Sequence, residues 1–439
     1  MRLRSISEHL RGSLFFVPML YVVAGLLVGL IGVEIDRNLV DTSADLPFGL
    51  TSTVDSARAV LETIGGATIS FAGIAFSISL LVIQLASSQY SPRVVHGLLR
   101  DPFTKRVMGI VVGTFTYCLV VLRSVRGPLE EGGDPVIPNV SVALAVLLGV
   151  VAIMAIIAFI DHSAHSMDVS RILSRATSDA TSAARRLWTE EPAPDGDVGD
   201  VPAPPPDHLV VTHRDAGWVQ YVDVAAVARC TPPGGTVRLE TEVGRYAIEG
   251  TPICLLWPVP DDAEEACRQV RDAVVTGRSR TVEQDVAYGV RQLADVALRA
   301  LSPGINDPTT AQDAVFHLGS VLHELLRWHP PAAVESCDGD RTLVRPDRQG
   351  HADVIDLAFD EVRLSATGMP TVCIYLLEVL QLLRDSLDDP SSAAGDAIRR
   401  QAALIRIGVD HADLTAHDAD RIRDAHDHRF GPPAEHVTT

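Results

Sequence analysis

Four apolar stretches, residues 14–33, 63–86, 107–122 and 140–160, each run without a charged side chain. Each supplies about 16–24 residues of helix, and about 20 residues at ~1.5 Å rise cross a hydrocarbon slab roughly 30 Å thick. Lipid offers the backbone no hydrogen bonds, so such segments cross it as helices. The sequence after His162 is polar. The reading is a mainly α membrane protein, with a transmembrane domain over 1–165 followed by a large water-facing part.

Loop charge sets the orientation, because short cytoplasmic loops retain Lys and Arg. Arg2, Arg4 and Arg11 precede the first stretch, and Arg93, Arg100, Lys105 and Arg106 lie between the second and third. Arg171, Arg175, Arg185 and Arg186 follow the fourth. The other two loops are acidic, with Glu34, Asp36, Asp41, Asp45 and Asp55 in one and Glu130, Glu131 and Asp134 in the other. Both termini are therefore expected in the cytoplasm, in a multi-pass protein of the inner (plasma) membrane. A signal peptide is the rival reading of residues 1–33. The apolar run is long for one, no small-x-small cleavage site follows, and three further spans do.

Cysteine and charge exclude several function classes. Cys118, Cys230, Cys254, Cys267, Cys337 and Cys373 are scattered with no C-x-x-C pair, which points away from zinc and redox work. A net charge of −19 argues against a nucleic-acid partner, since phosphate binding needs basic patches. No G-x-S-x-G, H-E-x-x-H, P-loop or dinucleotide fingerprint occurs, so enzymatic activity is not expected.

Inside the membrane segments, small residues recur at helical spacing. Gly25 and Gly29, then Gly109 and Gly113, sit four apart, which lets two helix backbones approach closely in lipid. Gly66, Ser70, Gly73, Ser77 and Gln84 form a stripe on the second segment. That stripe reads either as a packing seam, with hydroxyls bonding back one turn, or as the lining of a narrow wet path. No Asp, Glu, Lys, Arg or His occupies the middle of any span, which argues against proton relays and voltage sensing.

At the exit of the fourth segment, Asp161, His162 and His165 form a weak metal-ligand candidate, with Asp168 one further turn along. Solvated interfacial side chains are the plainer reading, and a pH-responsive histidine a further one. Residues 166–188 keep a helical period through Ile172, Leu173, Ala176, Ala180, Ala183, Ala184 and Leu187, as a stalk continuing the last span. A Pro-rich linker occupies 189–207.

Short β runs then appear at 209–212, 218–222, 237–241, 246–248 and 253–257, defining a small β-sandwich-like module over 208–258. Residues 243–253 resemble the glycine rhythm of lipoyl- and biotinyl-type domains. Those carry their cofactor on a lysine, the module has none, and no cofactor is expected; Lys105 is the chain's sole lysine. Residues 262–410 read as an α-helical bundle, with helices near 281–301, 308–328, 352–365, 369–387 and 393–408. Between the first two lies a turn, Ser302, Pro303, Gly304, Asn306, Asp307 and Pro308, with Asp307 as cap and Pro308 in the first helical turn. That turn is also a candidate ligand site, with Arg278, Arg280 and Tyr288 nearby in sequence. Residues 411–439 form a polar tail whose His411, His417, His426 and His428 have no fixed geometry.

Three runs, Ser70–Ser77, Gln84–Arg93 and Ala300–Ala311, together resemble an uncharacterised bacterial family of predicted membrane proteins, domain of unknown function 2254. The resemblance spans roughly residues 10–410. It implies this architecture and supplies no activity. Within the second run, Ser87, Ser88, Gln89 and Arg93, with Arg100 beyond it, are expected at the membrane surface, where arginines meet lipid phosphates. Beyond the lipid bilayer, the expected partner is a second copy of the chain. The leading functional expectation is a homo-oligomeric pore for an ion or small solute, with a cytoplasmic regulatory part. A membrane-anchored sensor or envelope scaffold is the alternative.

Overall fold

The computed structural model describes residues 16–40, 53–89, 101–125, 138–165, 168–190, 203–337 and 340–431, without the side chains of 39, 40, 83 and 85–89. Contacts divide the chain into two compact units, Met1–Asp168 and Val169–Thr439.

The first unit consists of four helices long and apolar enough to cross a membrane. They are α1 (Phe16–Val40), α2 (Val54–Gln89), α3 (Pro102–Ser124) and α4 (Asn139–His165). Helix α3 packs against each of the other three and is the most enclosed. Two apolar cores hold the unit together. Val33, Ala57, Leu61, Tyr117, Cys118, Val121, Val142 and Ala145 form one, and Ala75, Val107, Val111 and Phe159 the other.

Lipid tails are as apolar as these side chains, so burial gives little drive and close packing must supply it. The α1–α3 contact does this through glycines. A Cβ on Gly113 would lie 2.9 Å from the Tyr21 carbonyl oxygen, and one on Gly109 2.6 Å from the Tyr21 ring. A Cβ on Gly25 would collide with the Gly113 carbonyl. Gly29 sits against Val120 and Tyr117, so all four glycines face the α1–α3 crossing within one chain.

Helix α4 ends at His165, and the next helix, α5 (Val169–Leu187), belongs to the second unit. The face expected of a stalk is buried at Ile172, Leu173, Ala176, Ala180, Ala183 and Ala184, where α5 packs against two helices of that unit, α8 (Val286–Ala300) and α9 (Pro308–Leu325). An amphipathic period reports a buried face without saying what buries it.

The second unit mixes sheets with helices. Strands β1 (Leu209–Thr212), β2 (Gly217–Val222), β3 (Thr236–Leu239), β4 (Tyr246–Ala247) and β5 (Pro252–Trp257) are interrupted by α6 (Val224–Arg229) and followed by α7 (Ala263–Ala273) and β6 (Val274–Gly277). After α8 and α9 come β7 (Val334–Cys337) and β8 (Arg341–Val344). One sheet has the order β1-β5-β3-β8-β7, the other β4-β2-β6. Both contribute to a core with α6 and α7 that includes Val211, Val219, Val237, Ile253, Leu256, Val270 and Leu343.

The β region thus extends past residue 258. β8 pairs in parallel with β3, with Thr236 opposite Thr342 and Arg238 opposite Val344, and β7 is antiparallel to β8. Four-residue strands carry too little periodicity to be seen locally, and a parallel partner needs a long crossover.

Helices α10 (His351–Ala366), α11 (Pro370–Asp385) and α12 (Ala393–Asp410) pack with α8 and α9 around Leu293, Leu318, Leu322, Phe359, Leu376 and Leu380. Part of the stretch expected as a polar tail is a further helix, α13 (Ala416–Phe430), capped by Thr415. It packs on α11 and α12 with Ala419, Ile422 and His426 buried. Only three of its fifteen residues are buried, too few to give an apolar period in so acidic a stretch.

The glycine crossing makes a differential prediction. Gly113→Val is expected to destabilise the first unit by about 1–3 kcal/mol through overpacking against Tyr21. Gly73→Val, where an added Cβ meets nothing within 4 Å, should leave monomer stability within about 0.5 kcal/mol. Thermal unfolding of the two variants in detergent, followed by circular dichroism, separates them.

Candidate functional site

Helix α2 has two unlike faces. Ala57, Leu61, Gly65, Thr68 and Ala75 are buried against the neighbouring helices. Gly66, Ser70, Gly73, Ser77 and Gln84 lie about half a turn away at ~100° per residue and are all exposed. Among the described residues, nothing beyond the adjoining turns of α2 itself comes within 4 Å of where a Cβ on Gly66 or Gly73 would stand, whereas Gly25, Gly29, Gly32, Gly109, Gly113 and Gly149 each meet a neighbouring helix. The Ser77 hydroxyl donates to the Gly73 carbonyl at 3.0 Å, keeping its proton satisfied while its oxygen stays on the outer face. Asp55 and Glu62, exposed near the start of α2, continue the same line.

The outer faces of α1 and α4 differ from this one. They expose Leu20, Val23, Leu27, Leu30 and Ile31 on α1, and Leu147, Val150, Met154 and Ile157 on α4, as lipid demands. The stripe is thus a row of small and polar groups flanked on α2 itself by the exposed Ile69, Ile74, Phe76, Leu80 and Leu81, on a unit whose other outer faces are apolar. Of the expected membrane-surface residues, Ser87, Ser88 and Gln89 end α2 with side chains outside the described residues, where Arg93 and Arg100 also fall.

Polar side chains concentrate at the two ends of the first unit, closing helix termini that would otherwise leave backbone groups unpaired. At one end Asp36, 4 % exposed, reaches from α1 to the start of α4. It accepts from the Val140 and Ser141 amides at 2.9 Å each and from the Ser141 hydroxyl at 2.6 Å. Tyr117 on α3 donates to the Ser141 carbonyl at 2.9 Å. Arg58 on α2 donates to the Val125 carbonyl just beyond α3 at 3.1 Å.

At the other end Asp101 caps α3, accepting from the Phe103 and Thr104 amides and the Thr104 hydroxyl. His162 of α4 approaches it with Nε2 2.9 Å from Oδ2, while His165 Nδ1 lies 2.8 Å from the Asp161 carbonyl oxygen. The weak metal candidate is therefore divided: His162 turns to α3 and His165 to its own helix. Among the described residues, no three His, Cys, Asp or Glu side chains converge on a point.

The turn at 302–308 in the second unit forms a helix junction. Asp307 accepts from the Thr310 amide and hydroxyl, and its own amide donates to Ala300. Ser302 donates to the Arg299 carbonyl, and Asn306 holds a positive φ of 50° that asparagine tolerates. Arg280 and Tyr288 are engaged in a cluster of their own. The Arg280 guanidinium bonds both Asp285 oxygens at 2.9 Å and lies over the rings of Tyr288 (5.0 Å) and Trp218 (5.7 Å). Burial pushes the Asp285 carboxyl up, against the pull of Arg280.

Sequence reasoning missed Glu242, which follows β3 by three residues. Burial raises its carboxyl from 4.5 to about 7, with Arg245 and Arg345 opposing and Asp347 and Asp353 reinforcing the rise. No motif marks it, because the burial comes from non-local packing.

Two outcomes follow. Asp36→Ala leaves two amides and a hydroxyl without their acceptor and should cost on the order of 3 kcal/mol in unfolding measurements, with Asp36→Asn milder. For Glu242 the raised folded value penalises the ionised form, so the penalty is absent below about pH 4.5 and complete above about pH 7. Glu242→Gln should therefore stabilise the second unit at about pH 8 by on the order of 2 kcal/mol and change little at about pH 4. Hydrogen exchange at the β3 and β5 amides reads both conditions.

Similarity to known sequences agrees with this architecture. Two uncharacterised proteins, from Mycobacterium bovis and Mycobacterium tuberculosis, are each 31% identical to the chain over 426 residues, covering 92% of it and 77% of the relative. No solved structure matches. The model of the predicted membrane protein family DUF2254 matches residues 11–382, and with four helices fit to span a bilayer followed by a mixed helical and sheet region, the chain belongs to that family.

Proposed function

We propose that the protein assembles with copies of itself in the inner membrane into a pore or small-solute conduit lined by α2. Both termini and the second unit lie in the cytoplasm in this reading, and the second unit gates or assembles the conduit. The observation that carries it is the outward stripe of Gly66, Ser70, Gly73, Ser77 and Gln84. Small and hydroxyl-bearing faces are favoured against another helix or against water in a membrane, and lipid tails reward neither. Four helices make a poor conduit alone, so several subunits must surround the path. Loop charge supports the orientation, with arginines at the 101/162 end and acids at the 36/141 end. In such an assembly Asp55 and Glu62 would ring the outer mouth with carboxylates, favouring cations.

Purified protein in liposomes should pass small cations in preference to anions of similar size. Ser70→Leu or Ser77→Leu should reduce the flux at least about tenfold by placing a bulky group on the path, and Glu62→Gln should weaken the charge preference. No flux under any gating condition sinks the conduit. A partner captured by wild type and lost with Asn306→Ala or Asp307→Ala would then move the assignment to a membrane-anchored sensor or scaffold.

A further inference from the structure

The four helices of the first unit are closed at both ends by polar and charged side chains, and among the described residues one of these closures contains a histidine. That residue is His162, and histidine is the side chain type whose charge ordinarily changes between about pH 5 and pH 8.

The geometry at His162 couples that change to helix packing. Its Nε2 lies 2.9 Å from Asp101 Oδ2, and its ring stands 4.7 Å from the ring of Phe103. It occupies the last turn of α4, where the helix dipole favours a cation. Asp101 is the N-cap of α3, so a single carboxylate both starts one helix and receives the end of another. Burial works to raise the Asp101 carboxyl, but the hydrogen bonds from Thr104 and Phe103 and the charge of His162 outweigh it. Asp101 therefore lies below the usual carboxylate range and stays ionised throughout the histidine window.

Among the described residues, few other ionisable groups lie on the elements around the ring, Asp168 just past α4 among them. Helix α3 carries Lys105, buried one turn further in, and the exposed Arg106. On α4 itself Asp161 and His165 pair with each other at 3.4 Å. From Thr63 to Gln89 helix α2 has no acid or base, and from Phe16 to Val33 helix α1 has only Tyr21.

We propose that His162 and Asp101 form a proton-operated latch joining the adjoining ends of α3 and α4. Below the histidine window the contact is an imidazolium–carboxylate ion pair. Above it the ring is neutral, and its Nε2–H donates to the Asp101 carboxylate without the attraction of a second charge. The sign is fixed: acid tightens the latch and alkali loosens it. Because α3 also packs on α1 and α2, a looser α3 terminus is felt across the unit. The latch stands on contacts inside one chain and does not depend on whether α2 conducts.

Hydrogen exchange of the full-length protein in nanodiscs tests it at the amides of the first turns of α3, residues 105–108. After correction for intrinsic rates, wild type should open about threefold to fivefold less often at about pH 6 than at about pH 8. His162→Gln, which keeps a hydrogen-bond donor but cannot titrate, should bring that ratio to one, and His165→Gln should leave it in place. A ratio of one in wild type overturns the latch, as does a ratio that persists in His162→Gln or disappears in His165→Gln. If His162→Gln fails to fold, Asp101→Asn, which retains an oxygen for the cap, replaces it with the same expected loss and the same overturning result.

Discussion

A helix that ends near hydrocarbon has backbone groups that neither its own ladder nor the lipid can satisfy, and the first unit is arranged around that demand. The three hydrogen bonds that Asp36 accepts are the clearest response. A carboxylate from α1 takes two amides and a hydroxyl at the start of α4, so placing one helix fixes the beginning of another. Arg58 treats the end of α3 in the complementary way, a cation at a carbonyl terminus. Negative charge at a helix start and positive charge at a helix end are what the macrodipole favours. These charges belong to neighbouring helices, so capping and tertiary assembly are one event.

Glycine sets the distance at which those caps can reach. The α1–α3 crossing closes until Gly25, Gly109 and Gly113 are against backbone and ring atoms. Gly32 lies on the same side of α1, where a Cβ would come 2.9 Å from the Ser141 hydroxyl that Asp36 holds. On α2, Gly65 packs against Cys118 and Phe115 of α3, while Gly66 and Gly73 behave oppositely, with no neighbouring helix among the described residues within 4 Å of an added Cβ. The same residue type thus serves an interface already formed in one helix pair and leaves a smooth outer face on another helix.

Much of this was legible in the residues. Uncharged length located all four helices fit to span a bilayer, and spacing of four marked the glycines that cross. Asp307 and Pro308 were readable as a helix start because capping is local chemistry, and the structure has Asp307 accepting from Thr310. Pairings between distant segments were not legible. Nothing near Asp36 in sequence announces that its partners lie over a hundred residues on at Val140 and Ser141. Strands β7 and β8 were hidden within a stretch read as helical, and α5 showed its buried face without its partners. For the stripe on α2, sequence gave the periodicity while only the fold reveals that it faces outward.

The parallel pairing of β3 with β8 has a bearing on how the second unit comes into being. Residues 236–239 have β5 on one side, but their other edge stays open until residues 341–344 have been made. About a hundred residues, including α7, α8 and α9, emerge from the ribosome in between. An unpaired strand edge is a template for wrong partners, and contacts so distant along the chain form late. The sheet is accordingly a checkpoint on synthesis: its middle cannot be sealed by the amino-terminal portion of the unit alone, whatever local structure has already formed there.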